Sequence, residues 1–311
     1  MTPYFSIIIP LYNKETHIKS TIESVLAQTF QDFEVIVVND GSSDASKSVL
    51  ASFYDDRIYY YEQENQGVSA TRNLAISKAK GAYIALLDAD DLWKPTYLET
   101  IYQLIQSFPE QHVFATSVLI ETPNDVIPSV YSIDSLKEND VYVVDYFESS
   151  TINSLLTSSS VVLHKSVFEK IGTYNTSIKK GEDTDLWIRI GIHYKTVFKN
   201  QALVTYRYQK QSLSNSAMQL KDKPALDNYV QFEATNPGLK KFMDLNRFSM
   251  AMLAKLENDS RSFENFEKAI DYVNLNKKQQ FLLKQPAFSI KLLHKFKGLL
   301  QHLGIHLSAF K

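Results

Sequence analysis

Cysteine is absent from all 311 residues of the chain. Its absence excludes disulfide bonds, thiol nucleophiles and thiolate metal ligands, and it fits a reducing compartment. Long hydrophobic runs are absent too, since none approaches the roughly 20 residues that cross a bilayer. Residues 1–4 carry no basic leader before the first apolar segment, so we expect no signal peptide. These features predict a cytoplasmic protein that does not span a membrane.

Acidic residues are missing from one end of the chain. None follows Asp271, whereas seven lysines do. The overall net charge is −2, and removing those lysines leaves 26 basic against 35 acidic residues, or −9 for the body of the chain. An acidic body argues against nucleic acid as a partner, because such binding needs a basic surface. An anionic ligand would need a metal cation or a specific arginine to hold it there.

The first hundred residues alternate between apolar runs and helical spacing. Strands are predicted at residues 5–10, 34–39, 58–62 and 83–87, and helices at residues 16–28, at residues 68–79 and after the turn at residues 41–44. Nearly continuous apolar strands between helices are typical of α/β proteins in which helices flank a mainly parallel central sheet. The ligands of such sheets bind at the carboxyl ends of the strands.

The pattern loosens in the second part of the chain. Further strands are predicted at residues 113–121, 160–164 and 202–208, and beyond residue 216 the spacing is mostly helical. We therefore divide the chain into an α/β domain, residues 1–215, and a helical C-terminal extension, residues 216–311.

Polar side chains follow three of the predicted strands. Tyr12 follows the first strand, Asp40 the second, and Asp88-Ala89-Asp90 the fourth. Taken singly, each has an ordinary explanation as a turn or a helix cap. At one rim of one sheet they would suit a diphosphate ligand, because carboxylate oxygens bind the Mg²⁺ or Mn²⁺ that neutralises it. The Tyr12 ring could stack on a base.

Five segments match, in order, the motifs of family 2 glycosyltransferases, which have a GT-A (Rossmann-like) fold. They are residues 7–13 (IIIPLYN), 37–44 (VVNDGSSD), 65–73 (NQGVSATRN), 87–93 (LDADDLW) and 181–189 (GEDTDLWIR). Each segment alone is a weak signal, but five in order are specific. The chain thus resembles an inverting enzyme that moves a sugar from a nucleoside diphosphate, with UDP expected, to a hydroxyl of a glycan or lipid-linked acceptor in polysaccharide or glycoconjugate biosynthesis.

The resemblance implies a role for each matching residue. Asp183 corresponds to the general base, Glu182 and Trp187 lie beside the donor or acceptor sugar, and Asp90 corresponds to the ligand of Mn²⁺ or Mg²⁺. The nucleotide site is expected at Pro10, Tyr12, Glu15, Asp40, Asn65, Arg72, Asp88 and Ala89. By the same resemblance, residues 1–110 form the nucleotide-binding half of the domain, and residues 111–215 supply the base and the acceptor side.

Two of these roles have alternatives that depend only on local structure. Acidic side chains in a first helical turn stabilise the helix dipole, so Glu182 and Asp183 could be ordinary helix-start residues. Trp187 could be a core residue that aims the carboxylate, in place of a platform for a sugar ring.

The chain departs from the family pattern at two points. Gln209 stands where members commonly carry a histidine that helps with the metal or diphosphate, which leaves the strength of metal binding open. The Gln-x-x-Arg-Trp motif of polymerising relatives is absent, which favours single addition over processive synthesis.

Two other classes of protein remain as alternatives. A sugar nucleotidyltransferase on a related fold would need a basic, glycine-rich loop after the first strand, and residues 10–13 (PLYN) are neither. A non-catalytic carbohydrate-binding or scaffold protein would be expected to lose the carboxylates, yet Asp88, Asp90 and Asp183 are present. A dinucleotide-dependent dehydrogenase is disfavoured because no Gly-x-Gly-x-x-Gly follows the first strand.

The C-terminal tail, residues 285–311, is basic and amphipathic. Its leucines and phenylalanines fall on one side of a predicted helix, with lysines beside them. Such a helix suits peripheral contact with an anionic membrane at the inner face of the cell membrane. Packing on the acidic body or self-association explains the same pattern equally well.

Overall fold

The computed structural model of the protein describes residues 2–208, 220, 226–302 and 309. Strands and helices alternate through the first part of the chain, as the sequence predicts. The strands are β1 (Phe5–Leu11), β2 (Phe33–Asn39), β3 (Ile58–Glu62) and β4 (Tyr83–Leu86), and the intervening helices are α1 (Ile18–Leu26), α2 (Ser46–Leu50) and α3 (Val68–Lys78).

These four strands form the parallel half of the sheet, in the order β3-β2-β1-β4. Ile8 lies opposite Ile36 on one side and Leu86 on the other. The chain moves outward from β1 to β3 and then returns to place β4 on the opposite side of β1. The sheet therefore has a switch point at the carboxyl end of β1, which is where ligands bind in open α/β sheets.

The rest of the domain, after β4, adds six strands and four helices. They are β5 (Leu92–Trp93), α4 (Tyr97–Ser107), β6 (Val113–Glu121), β7 (Val126–Pro128), β8 (Val141–Val144), α5 (Tyr146–Ser149), β9 (Val161–His164), α6 (Ser166–Ile171), α7 (Glu182–His193) and β10 (Thr196–Arg207). The sheet continues from β4 through β9, β6 and β10 to β5, while β7 pairs with β6 and β8 with β10. The β6–β10 pair is parallel and the other pairs in this half are antiparallel. The sheet is thus parallel on the β1 side and mixed beyond β4.

Four strands differ from the prediction: no strand is predicted where β5, β7 and β8 lie, and β10 starts earlier than expected. β10 begins six residues before the predicted start at Ala202, and its pairing with β6 is irregular between Lys199 and Val204. The polar Lys199-Asn200-Gln201 stretch at this irregularity interrupts the apolar pattern. β5 is a two-residue strand held against Val204 and Thr205 of β10, which is too short to produce a periodic signal.

Both faces of the sheet are buried. Along β1, Ile8 packs in one hydrophobic cluster, while Ile7 and Ile9 pack in another on the opposite face. Successive side chains of a strand point to opposite faces, so a strand covered on both sides needs an unbroken apolar run. This explains why β1 and β2 are mostly apolar, and why they can be located in the sequence.

The described residues after 225 are predominantly helical, as predicted. The α-helices are α8 (Val230–Glu233), α9 (Pro237–Glu257), α10 (Ser260–Ala269), α11 (Lys277–Lys284) and α12 (Ala287–His302). Asn236 caps α9 through the N–H of Leu239, and Pro237 occupies the first turn, where its missing N–H costs nothing. Leu239 and Phe242 of α9 join the core beneath the sheet, so the helical region packs directly on the α/β domain.

Some predictions fall on residues outside the described ranges. Gln209 and the predicted boundary between residues 215 and 216 are among them, as are residues 303–308, 310 and 311 of the tail. The division into a domain and an extension therefore stays a prediction. Among the helices that the structure describes, none combines the length and apolar composition that a bilayer crossing demands.

Candidate active site

Three of the predicted site residues lie at the carboxyl ends of neighbouring parallel strands. Tyr12 follows β1 and is 48% exposed, so its ring is available to a ligand. Asp40 follows β2, and Asp88 lies two residues beyond β4 with its side chain 31% exposed. Because β2, β1 and β4 are adjacent, the structure brings these residues to one edge of the sheet.

Asp40 organises the loop that leads into α3. Its carboxylate accepts hydrogen bonds from the backbone N–H groups of Gln66 and Gly67, each at 2.9 Å, and from the side chain of Gln63 at 2.7 Å. Gly67 has φ +86°, a conformation that disfavours side chains. A carboxylate offers about four acceptor positions, so Asp40 keeps one for a further donor, although it is only 3% exposed.

Asn13 and Glu15 join the end of β1 to the loop before α2. The Asn13 side chain accepts from the N–H of Ser43 at 2.8 Å, and Glu15 accepts from the N–H of Ala45 at 2.7 Å. Both are local loop contacts. Asn65 is exposed on the neighbouring loop and lies close to Gly41, where a Cβ atom would sit 3.1 Å from the Asn65 nitrogen. Pro10 lies within β1 itself.

Arg72 is the centre of the candidate site. Its guanidinium donates to Asp183 at 2.9 Å and to Glu182 at 3.2 Å, and its other terminal nitrogen donates to Asp88 at 2.8 Å. Arg72 is 3% exposed, whereas the side chains of Asp88 and Asp183 are 31% and 34% exposed, so these charge-assisted bonds join a buried cation to partly exposed carboxylates. The arginine therefore ties the loop after β4 to the start of α7, which lies 110 residues beyond Arg72 in the sequence.

Two of the carboxyls around Arg72, those of Glu182 and Asp183, have raised pKa values. Burial raises the pKa of Asp183, and the charge of Asp88 adds to this effect, while Arg72 and a hydrogen bond from Ser158 at 3.0 Å oppose it. Burial and the neighbouring Asp183 raise the pKa of Glu182 to about 7. Carboxyls with raised pKa values and a specific charged partner are characteristic of catalytic sites. Besides lying at the start of α7, both carboxyls form ion pairs with Arg72.

The loop after β4 is fixed from three sides. The Thr21 hydroxyl lies 3.0 Å from the carbonyl oxygen of Ala89 and 2.9 Å from that of Asp91. Asp91 accepts from the Ser159 hydroxyl at 2.5 Å and from the N–H of Arg207 at 3.0 Å. Burial raises the pKa of Asp91 well above its ordinary value. Neither Asp90 nor Asp91 caps α4, whose N-cap Thr96 makes no side-chain bond.

Asp90 pairs with a cation from the chain itself. The ammonium group of Lys14 lies 2.5 Å from Asp90 Oδ2, and the side chain of Asp90 is 14% exposed. Among the described residues, no group of three or more histidine and carboxylate side chains forms a metal cage. Magnesium commonly binds through one or two carboxylates together with substrate phosphates and water. Asp90 fits that kind of site as a single oxygen ligand, and Lys14 is the group that a metal would displace.

Two predicted residues are buried away from any ligand. Trp187 is 3% exposed and belongs to the hydrophobic core, which favours the core-packing alternative over a platform for a sugar ring. Ala89 is 2% exposed and could reach a ligand only through its backbone. Its buried methyl group belongs to the core cluster that also contains Trp93.

Several contacts of the site carry no motif in the sequence. Lys14 reaches Asp90, Ser158 reaches Asp183, and the Arg72 guanidinium lies 5.0 Å from the centre of the Tyr174 ring. These pairs join segments that are distant in sequence, so local pattern gives no indication of them. Lys14 lies beside the recognised residues 7–13, which is the one signal in the sequence that points to it.

Known proteins are similar to this chain in sequence and in fold. A model of the family described as "Glycosyl transferase family 2" matches residues 6–172. An uncharacterized glycosyltransferase of Rickettsia typhi is 30% identical over 228 residues, covering 72% of this chain and 70% of the relative. Glycosyltransferase GlyA of Streptococcus pneumoniae serotype 4 is 31% identical over 218 residues, which are 67% of this chain and 31% of GlyA.

The fold is similar to that of a solved protein, TarS of S. aureus. The crystal structure of S. aureus TarS 1-349 in complex with UDP aligns with a TM-score of 0.58 at 17% identity, covering 85% of this chain and 90% of that one. The complex of the same protein with UDP-GlcNAc aligns with a TM-score of 0.56 at 16% identity. These alignments confirm the predicted GT-A fold. Because the family model matches more than half of the residues of this chain, the chain belongs to glycosyl transferase family 2.

Proposed function

We propose that the chain transfers a sugar from a nucleoside diphosphate, a UDP-sugar, to a hydroxyl of a glycan or lipid-linked acceptor, with inversion at the anomeric carbon. One observation carries this proposal: Asp183 and Asp88 bind the same guanidinium, that of Arg72. The candidate base is thereby held beside the sheet edge where a nucleotide would lie. A non-catalytic carbohydrate-binding protein would have no need of a partly exposed carboxyl with a raised pKa at that position.

The nucleotide is assigned to the carboxyl ends of β1, β2 and β4. Tyr12 offers an exposed ring for base stacking, and Asp40 has one acceptor position for a base N–H. Asp88 would accept from a ribose hydroxyl, since part of its carboxylate is exposed. Arg72 then acts mainly through the carboxylates that it orients, because its guanidinium is already engaged with three of them.

The transfer step that we assign to Asp183 is a single in-line displacement. The acceptor hydroxyl oxygen forms a bond to the anomeric carbon while the bond from that carbon to the diphosphate oxygen breaks. The hydroxyl proton passes to the Asp183 carboxylate, and the bonding electron pair leaves with the diphosphate. Arg72 and Ser158 hold one oxygen of Asp183, which leaves the other for the acceptor hydroxyl.

The same site fits a divalent cation supplied together with the donor. Asp90 would hold Mn²⁺ or Mg²⁺ as its protein ligand, in the oxygen-rich environment that these ions prefer. When bound, the ion neutralises charge on the departing diphosphate. Lys14 supplies a positive charge at the same carboxylate, so the chain has a cation of its own at this point.

The helix α12 supports a location at an anionic membrane surface. Phe288, Leu292 and Phe296 follow one another at four-residue spacing and are 72%, 66% and 52% exposed. No acidic residue follows Asp271, so this apolar stripe lies in a basic segment. Replacing the three residues with serine should abolish sedimentation with phosphatidylserine vesicles. Unchanged sedimentation of the triple variant would assign the stripe to another contact.

The main proposal is tested by thermal-shift titration of the purified chain with a panel of nucleoside diphosphate sugars, with and without Mn²⁺. At least one UDP-sugar should raise the melting temperature, and the same donor should yield UDP when an acceptor is supplied. NMR of the glycoside product gives its anomeric configuration. Stabilisation only by nucleoside triphosphates would favour a nucleotidyltransferase, and retention of configuration would exclude the single displacement.

A further inference from the structure

A cavity of about 230 Å³ lies between the α/β domain and the helical C-terminal region. Its walls come from α5, the segment that follows it, the first turn of α7 and the middle of α9. Six hydroxyl or amide side chains line it: Ser150, Thr151, Ser154, Thr184, Asn246 and Ser249. Nothing in the nucleotide site described above contributes to this cavity.

The lining is polar but uncharged. Beside the hydroxyl and amide groups stand the aromatic rings of Tyr146 and Phe242 and two aliphatic side chains, and no lysine, arginine, aspartate or glutamate is among the lining residues. Such a wall offers nothing to neutralise a phosphate or a carboxylate, which excludes an anionic ligand. Hydroxyl groups and aromatic faces together match the two sides of a neutral sugar ring.

Several of these polar groups keep hydrogen-bonding capacity for a ligand. The Asn246 amide donates one N–H to the carbonyl of Phe242 at 2.9 Å, and an amide has a second N–H and an acceptor oxygen. The Ser249 hydroxyl donates to the carbonyl of Leu245 at 3.2 Å, which leaves its oxygen able to accept. Two residues one turn apart on α9 therefore present both a donor and acceptors.

The cavity adjoins the candidate base. Thr184 follows Asp183 directly and lines the wall. Burial raises the pKa of Tyr146 well above its ordinary range, and the charge of Asp183 is among the further causes. The Tyr146 hydroxyl bonds to Ser154 at 3.1 Å, so the cavity wall lies within electrostatic reach of the Asp183 carboxylate.

We propose that this cavity binds one neutral sugar unit of the acceptor, next to the hydroxyl that Asp183 deprotonates. The inference rests on the proposed function, because it assigns the acceptor side of that reaction. A volume of about 230 Å³ is below the roughly 300–1,000 Å³ of sites that enclose drug-sized ligands. One ring fits that space, and a longer chain would have to extend out of it.

The experiment measures direct binding to the full-length chain, without donor or turnover. Methyl glycosides of glucose, galactose, N-acetylglucosamine and N-acetylgalactosamine serve as probes in saturation-transfer NMR titrations. Ser249→Phe should fill the cavity and weaken binding about tenfold or more. Asn246→Ala should weaken it roughly three- to tenfold by removing a hydrogen-bonding group. Ser107→Phe is the matched control, since Ser107 bonds to a carbonyl four residues earlier and is exposed far from the cavity.

Two results would overturn the inference: no binding of any of the four glycosides to the wild-type chain, or equal binding by wild type and Ser249→Phe. Circular dichroism of each variant checks the fold, and Asn246→Ala gives a second reading if Ser249→Phe does not fold. UDP binding is titrated in parallel. If the wild-type chain does not bind UDP, the proposed function is contradicted. If it nevertheless binds a glycoside and Ser249→Phe abolishes that binding, the assignment of the cavity as a sugar-binding site is still supported.

Discussion

The ammonium group of Lys14 lies 2.5 Å from a carboxylate oxygen of Asp90, which is the residue proposed to bind the divalent cation. A metal ion at Asp90 must displace Lys14 or share the carboxylate with it. Two cations at one carboxylate repel each other, and this repulsion is strong where solvent access is limited, as at the 14% exposed Asp90 side chain. Lys14 should therefore weaken metal binding and, in the absence of metal, attract the diphosphate.

Replacing Lys14 with methionine should change UDP binding in opposite directions with and without metal. The apparent affinity for Mn²⁺ in the presence of UDP should rise about three- to tenfold, since a partly buried pair contributes on the order of 1 kcal/mol. In EDTA, UDP affinity should fall. Isothermal titration calorimetry measures both. Lys19→Met, which removes an exposed lysine from the same region, should change neither. Unaltered Mn²⁺ affinity in Lys14→Met would remove Lys14 as a competitor.

Asp183→Asn should remove catalysis and preserve nucleotide binding. The asparagine oxygen can still accept from Arg72 and Ser158, but the amide cannot take a proton from the acceptor. We expect kcat to fall about 10²- to 10⁴-fold, with the Kd for UDP within about a factor of two. Stopped assays of UDP release and calorimetry give the two values. Turnover close to that of the wild type would exclude Asp183 as the base.

The parts of the site that can be placed from the sequence are those next to regular elements. β1, β2 and β4 are apolar runs, so the residues that follow them can be assigned to one sheet edge from the amino-acid pattern alone. Asp183 is recognisable through its motif, at the start of a helix with clear spacing. In each case local pattern and the rule for ligand binding in parallel sheets are sufficient.

The remaining contacts depend on tertiary packing. Arg207 bonds to Asp91 across 116 residues and Lys14 to Asp90 across 76, and no periodicity relates segments that far apart. Asp91 looks in sequence like a helix cap, but its side chain is buried and bonds to Ser159, before β9, and to Arg207, at the end of β10. The first half of β10 escapes prediction for a related reason: its pairing with β6 is irregular at a polar stretch, and the strand is recognisable only through its partners.

Glu182 should make the stability of the protein depend on pH near neutrality. Its folded-state pKa is about 7, mainly because of burial, against an ordinary value of 4.5. The folded state therefore binds this proton more tightly than the unfolded state. Its contribution to the free energy of unfolding is full below pH 4.5 and is lost as pH rises from 4.5 to about 7.

Glu182→Gln should remove the decrease in the free energy of unfolding at high pH, because glutamine does not ionise. The glutamine side-chain oxygen can still accept a hydrogen bond from Arg72. Urea denaturation at pH 8 should find the variant more stable than the wild type by on the order of 1–3 kcal/mol, and the difference should shrink towards pH 5. Glu23→Gln, on the exposed face of α1, should leave the pH dependence unaltered. If the free energy of unfolding depends on pH in the same way in the wild type and in Glu182→Gln, Glu182 is not the titrating group.

Gly191 allows α7 to approach α5 closely, and this contact positions the helix that carries Asp183. A Cβ atom at residue 191 would lie 2.8 Å from Cζ of Phe147 and 3.1 Å from Cβ of Tyr146, both fully enclosed in the core. Gly191→Ala should therefore destabilise the protein by about 1–2 kcal/mol, because overpacking outweighs the better helix propensity of alanine. Gly238→Ala is the matched control: its nearest neighbour is the exposed side chain of Glu148, which can move aside. Urea midpoints measure both variants, and a Gly191→Ala protein as stable as the wild type would show that α5 and α7 are not in tight contact.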